Sequence, residues 1–466
     1  MSYKSTNPYT GEVVATFETL TDEQLEGKLQ KAHEAFQLWK NKTFEERAAV
    51  LRRAAELVIE RRDELASYNT IETGKLFMES AWEMNICADM FNYYADNGAE
   101  MLKPHFIENP DKTGGNAVGI FQPLGIIYQI EPWNAPYFQI VRPLSATLMA
   151  GNTMVLKHAS NVPQCSAAME KILRDAGAPE GVFTNLYITY EQSDRIIGDD
   201  RICGITITGS TEVGRGVAEK AGKNLKKIVL ELGGSDAMLV FEDADMSKVI
   251  QGAMLGRITL SGQACVGDKR MFIHSSLYNE FLKKLKNSIC ELNPGDPMLP
   301  ETTLAPLVNK KAADKVRDQI ALAVKHGAIA EEIGKKVPQN TAFVQPTILT
   351  NVRPDNPIFN EEIFGPVLMI FSFDTEDEVI ALANGTQFGL GSSIYTESPE
   401  RAYRVASKME SGAVSVNQPT FPSPAIPFGG IKNSGYGREL GIDGIREFTN
   451  QKYINSATID MLSYKL

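Results

Sequence analysis

Between residues 125 and 232, short apolar runs alternate with helix-like segments, and no other feature narrows the possible folds as far. Residues 125–130, 153–157, 183–187, 202–208 and 227–232 each read as a strand, and helical patterns fall near 163–176 and after Ser210. Strands and helices in alternation imply a mostly parallel sheet with helices on both faces. A second alternating region runs from about 234 to 440, with strands at 237–241, 270–273 and 414–417 and a long helix near 311–326. Before both, residues 21–103 read mostly as helix. Leu25, Leu29, Ala32, Ala35, Phe36 and Trp39 recur at helical spacing. The expected fold class is therefore α/β. Strand-like stretches at 118–121 and 452–454 have no evident place in either region, and four prolines and two glycines make 418–430 an irregular loop.

A chain of 466 residues is long enough for two or three domains. Its net charge of −11 is spread without blocks, which argues against nucleic acid or an anionic membrane as the main partner. No apolar run approaches the roughly 20 residues that span a bilayer. The opening Met-Ser-Tyr-Lys carries no targeting pattern. Cys87, Cys165, Cys203, Cys265 and Cys290 are odd in number and form no C-x-x-C pair, as suits a reducing cytoplasm. The five histidines lack metal-ligand spacing, so no metal site is expected.

The chemistry concentrates in two places. Cys265 ends Ser261-Gly262-Gln263-Ala264-Cys265, and small neighbours suit a nucleophile that needs open space around its sulfur. Glu231 lies beside Gly233 and Gly234, which suits a base held on flexible backbone. A buried structural cysteine is the ordinary alternative. Asn134, between Pro132 and Pro136, is held stiffly enough to donate to an oxyanion or simply to make a turn. Gly209-Ser210-Thr211-Glu212-Val213-Gly214 follows a strand. It offers backbone N–H groups to a pyrophosphate, or only a turn and a helix cap. Lys157 ends a strand, where it contacts a cofactor ribose or only solvent. Glu361-Glu362-Ile363-Phe364-Gly365-Pro366 sets two acids and an aromatic before a turn.

In this order the motifs P-W-N, L-K, G-S-T-E-V-G, E-L-G-G, G-Q-x-C, E-E-I-F-G-P and P-F-G-G resemble the aldehyde dehydrogenase superfamily over nearly the whole chain. The resemblance implies a Rossmann-type NAD(P)-binding domain at 1–103 and 124–233, a catalytic domain at 234–442, and a small β oligomerisation arm at 104–123 and 443–466. It implies Cys265 as nucleophile, Glu231 as general base and Asn134 as oxyanion donor. It implies cofactor contacts at Trp133, Lys157, Ser160, Gly209, Ser210, Glu362 and Phe364. A homodimer or homotetramer is expected. The reaction implied is oxidation of an aldehyde through a thiohemiacetal and a thioester, and a carboxylate base argues against the CoA-acylating branch.

The local text is most similar to bacterial succinate-semialdehyde dehydrogenases. Arg142 aligns with an arginine that resembles their carboxylate anchor, and Ser423, in the proline-rich loop, offers a hydroxyl in place of a second arginine. Thr259 stands where many of them carry a second arginine, with Arg257 two residues earlier. Ser160 replaces a glutamate that would repel a 2′-phosphate, so NADP is expected to be accepted, with NAD as possible co-substrate. Ile442 occupies a position often acidic in the family, which leaves a proton relay there in doubt. The alternatives are a broad-specificity aldehyde dehydrogenase for other small aldehydes and, in a different class, a cofactor-independent thiol esterase.

Overall fold

The computed structural model describes residues 3–108, 116–457 and 459. Helices Asp22–Trp39, Phe44–Glu60, Arg62–Thr73 and Phe77–Met101 fill the N-terminal region. Thr21 with Gln24, and Thr43 with Glu46, close reciprocal capping boxes at the first two. The stripe read at Leu25, Leu29, Ala32, Ala35, Phe36 and Trp39 is buried throughout.

The first large sheet has six strands in the order Gly435–Tyr436, Lys227–Glu231, Ile202–Thr208, Ile126–Glu131, Thr153–His158, Phe183–Asn185. The last five run parallel, and Gly435–Tyr436 adds to the edge antiparallel. Ile126–Glu131 comes first in the chain yet sits inside the sheet, so connections leave it toward both edges. A crevice forms at such a reversal, outside the carboxyl ends of the strands. Those ends carry Glu131, His158, Thr208 and Glu231.

Helix Pro136–Met149 packs behind this crevice and is buried at every position. A helix buried all round is ordinarily apolar, yet this one carries Gln139 and Arg142. Pro136 opens it as the first helical residue. Its free N–H groups at Tyr137 and Phe138 donate to Glu83 Oε1 at 2.8 and 2.9 Å. Glu83 in turn pairs with buried Lys75.

The second large sheet has seven strands, in the order Ile329–Glu332, Thr347–Thr350, Val367–Phe373, Asp268–His274, Asp236–Val240, Gly391–Tyr395, Ala413–Val416. All but the first pair in parallel. The two strand-like stretches without a home find each other. Thr449–Ser456 runs antiparallel along the whole of Asn116–Pro123, which pairs with His105–Glu108 in a third sheet. Of the expected arm, residues 109–115, 458 and 460–466 lie outside the described residues. Among the described residues, no helix is long and apolar enough to cross a membrane.

Candidate active site

A cavity of about 340 Å³ lies at the crevice of the six-stranded sheet. Seven of the expected site residues line it: Trp133, Asn134, Gly209, Ser210, Cys265, Glu362 and Phe364. Trp133 and Phe364 face each other edge-on with ring centroids 5.9 Å apart. Ser210 caps helix Thr211–Lys223 through its hydroxyl, which accepts from the Val213 N–H at 3.3 Å.

The segment before Cys265 is strained. Leu260, Ser261 and Gly262 have φ of 56°, 51° and 76°, three left-handed residues in a row. Each such non-glycine residue costs on the order of 1–3 kcal/mol and persists only where its surroundings hold it. Here they do. Leu260 N–H donates to Glu79 Oε1 at 3.0 Å, and Ser261 Oγ donates to the Ala305 carbonyl at 2.7 Å. Arg257 donates from Nη1 to the Gly262 carbonyl at 3.1 Å, from Nη2 to Ile363 at 2.7 Å and from Nε to Val367 at 2.7 Å. Arg257 thus fastens the cysteine loop to the Glu362 segment.

Asn134 is also fixed from both ends. Its Nδ2 donates to the Gln263 carbonyl at 3.0 Å, and its Oδ1 accepts from Gln139 Nε2 at 3.2 Å. An amide nitrogen has two N–H groups, so one remains for a ligand at the cavity.

Beneath Cys265 lies Lys269, wholly buried. Its Nζ donates to the carbonyls of Ala264 and Cys265 at 2.9 and 2.7 Å and pairs with Glu362 Oε1 at 3.2 Å. Burial pushes the Cys265 thiol up to about 11, against the pull of Arg142 and Lys269. Gly233 and Gly234 do not serve flexibility, as the sequence suggests, but close approach. A Cβ on Gly233 would stand 2.6 Å from Glu362 Oε2, and one on Gly234 2.7 Å from the Cys265 carbonyl.

Glu231 is buried behind the cavity, and both its carboxylate oxygens lack a hydrogen-bond partner. Burial raises its carboxyl well above the usual range, Arg142 opposing and Glu439 reinforcing. Gly429 lies against it, where a Cβ would come within 2.7 Å of Oε1.

Arg142 requires a correction. It does not present an open cation for a substrate carboxylate. Its side chain is wholly buried and absent from the cavity wall. Nε pairs with Glu439, and Nη2 donates to Thr208 Oγ1 at 2.7 Å. The ring of Phe138 covers the guanidinium at 5.3 Å and that of Phe428 at 5.0 Å. The reason is long-range. Glu439 lies 297 residues further along the chain and neutralises a charge that would otherwise be unaffordable in this core.

Lys157 and Ser160 sit beside the carboxyl end of Thr153–His158, outside the cavity wall. Lys157 is buried, its ammonium 4.9 Å from the ring centroid of exposed Tyr190, and burial lowers it to about 8. Ser160 is half-buried, its carbonyl accepting from the Lys4 N–H at 3.0 Å. Ser423 lies in the irregular loop 418–430, half-buried, its carbonyl accepting from the Ile426 N–H at 3.1 Å. It is not brought to the cavity wall.

Other residues enter without having been singled out. Gln139 orients Asn134, and Glu131 and Glu439 surround Arg142. Lys315 and Gln319 add a wall from helix Lys310–Lys325. That helix was legible, and the spacing of Ala312, Lys315, Val316 and Gln319 marks one face of it.

Comparison with known proteins finds relatives over nearly the whole chain. The model of the aldehyde dehydrogenase family matches residues 1–454. A succinate-semialdehyde dehydrogenase (NADP+) of Deinococcus radiodurans is 41% identical over 454 residues, 97% of this chain and 94% of that protein. One from Mycobacterium tuberculosis is 37% identical, over 97% of this chain and 99% of its own. The crystal structure of succinic semialdehyde dehydrogenase from Streptococcus pyogenes with NADP+ superposes with a TM-score of 0.94 at 41% identity, covering 97% of this chain and 99% of that one. With a family match that spans nearly its whole length and relatives this similar, the chain belongs to the aldehyde dehydrogenase family.

Proposed function

We propose that this enzyme oxidises succinate semialdehyde to succinate with NADP+ as electron acceptor. The observation that carries the chemistry is the single cavity that joins Cys265 and Asn134 to Trp133, Gly209, Ser210, Glu362 and Phe364. The similarity to relatives that bear this substrate and cofactor in their names supports the choice of both.

Cys265 attacks the aldehyde carbon as thiolate. The free N–H of the Asn134 amide receives the developing oxyanion, an interaction worth about 3–4 kcal/mol in comparable sites. A bound nicotinamide would supply the hydride acceptor, and loss of hydride would leave a thioester on Cys265. Glu231 then takes a proton from the water that attacks the thioester. The cavity fits the cofactor. Gly209 leaves open space where a Cβ would stand, so a pyrophosphate can approach the backbone. Trp133, Glu362 and Phe364 line the same cavity and would hold the nicotinamide end. Lys157 has no ion pair among the described residues, and Ser160 adds no negative charge, so a 2′-phosphate is accommodated there.

A second reading, broad action on small aldehydes, is favoured by the pairing of Arg142 with Glu439, which removes the obvious carboxylate anchor. Kinetics decide. Succinate semialdehyde should exceed acetaldehyde and butanal in kcat/KM at least tenfold, and NADP+ should exceed NAD+. Equal values across the aldehydes would leave the broad reading; activity with NAD+ alone would overturn the cofactor assignment.

The separate sheets support the division into cofactor-binding, catalytic and arm segments. The exposed Tyr453 and Ile454 on strand Thr449–Ser456 suit association with a second copy as a homodimer or homotetramer. Five free thiols suit a reducing cytoplasm.

A further inference from the structure

One guanidinium serves three buried carboxylates. Glu131 ends strand Ile126–Glu131, Glu231 ends Lys227–Glu231, and Glu439 comes from the turn before helix Gly441–Glu447. All three bear electrostatically on Arg142. Between the two strands runs Ile202–Thr208, whose Thr206 donates to Glu439 and whose Thr208 accepts from Arg142. Gln129, Glu131, Thr206 and Thr208 alternate along their strands at the period that puts them on one face of the sheet. On the next strand, Glu231 pairs in register with Thr208. Parallel strands buried on both faces ordinarily carry apolar runs, so this polar column stands out.

The charges do not balance. Arg142 is already paired with Glu439. Glu131 Oε2, both oxygens of Glu231 and Arg142 Nη1 have no partner. Two further carboxylates, both buried, thus face one cation that is largely committed. Such groups do not ionise independently. The mechanism uses Glu231 and leaves Glu131 without a task.

We propose that Glu131 is a positioning residue that sets, through the Arg142 guanidinium it shares with Glu231, the pH at which Glu231 becomes an active base for thioester hydrolysis. This rests on the reading of Glu231 as that base. Burial raises both carboxyls well above their usual range, Arg142 lowers both, and Glu131 adds to the rise at Glu231. The other groups around the cluster are Arg438, facing Glu231; Tyr94 from helix Phe77–Met101, facing Glu439; Cys265, facing Arg142; and His158, in register with Glu131. Burial lowers His158 to about 4, so it is neutral over the working range.

The test separates the two half-reactions. Stopped-flow formation of NADPH reports acylation and hydride transfer, and decay of the thioester reports hydrolysis. Glu131→Gln removes a negative neighbour, so Glu231 loses its proton more readily. The acid limb of hydrolysis should move to lower pH by about one unit, making hydrolysis about tenfold faster on that limb. The pH profile of the NADPH burst should not move. Gln129 Nε2 donates to Glu131 Oε1 at 3.0 Å and favours its charged form. Gln129→Met should therefore shift the limb in the same direction by less, and it carries the test if Glu131→Gln does not fold. An unmoved limb, or burst and hydrolysis profiles that shift together, overturns the proposal. Glu231→Gln tests the underlying reading separately: it should stop after the burst, and hydrolysis at the wild-type rate would overturn the base assignment itself.

Discussion

Lys269 holds the backbone of Cys265, its ammonium 2.7 Å from the cysteine's carbonyl oxygen. The same ammonium reaches Glu362 Oε1 at 3.2 Å, so one buried cation serves both the Cys265 backbone and the Glu362 carboxylate. Lys269→Met should act on two observables. The Cys265 thiol loses a group that lowers its pKa, so iodoacetamide alkylation at pH 8 should slow several-fold and its midpoint should move to higher pH. Glu362 loses its tether, so KM for NADP+ should rise. Alkylation unchanged across pH would show that Lys269 does not act on the thiol.

Cys265→Ser keeps the shape of the loop and removes the nucleophile. NADPH formation should fall by at least about a thousandfold, the scale seen when a covalent nucleophile is removed, with the thermal midpoint little changed. A rate within tenfold of wild type would remove Cys265 from the mechanism.

Arg142→Leu distinguishes a counter-charge from a substrate anchor. An anchor lost would cost only the carboxylated aldehyde. A counter-charge lost strands Glu439 in the core, which destabilises by about 3–5 kcal/mol, and lowers turnover on every aldehyde alike. Denaturant unfolding and a two-substrate comparison give both readings. Selective loss with succinate semialdehyde, at unchanged stability, would restore the anchor.

The sequence is legible where the signal is local. The helical stripe from Leu25 to Trp39 and the strands of the first sheet follow from periodicity within a few turns of chain. Cys265 and Asn134 stand out because of their immediate neighbours. What escapes is pairing at a distance. Arg142 reads as a free cation because nothing near it announces Glu439. Gly233 and Gly234 read as flexible because the atoms that exclude a side chain, the Cys265 carbonyl and Glu362, come from elsewhere. The arm strands 118–121 and 452–454 are each visible, but their register joins residues more than three hundred positions apart.

Asp236 and Asp268 start adjacent strands side by side, behind the cysteine loop. Burial pushes Asp268 up to about 7 and Asp236 up to about 6, from an ordinary 3.8. The folded state therefore binds more protons than the unfolded state between about pH 4 and 7. Stability should be greatest below that window, fall as pH rises through it, and level off above. Asp268→Asn removes the larger share, so thermal midpoints measured from pH 4 to 8 should give a flatter curve than wild type. An identical slope would mean that Asp268 ionises freely in the folded protein.

The edge strand Gly435–Tyr436 and the partner of Arg142 both lie roughly three hundred residues beyond Ile126, where the sheet they complete begins. A ribosome therefore adds roughly three hundred residues after the first of these strands before this α/β unit can seal. Until Glu439 has been made, Arg142 lacks the counter-charge with which helix Pro136–Met149 buries it.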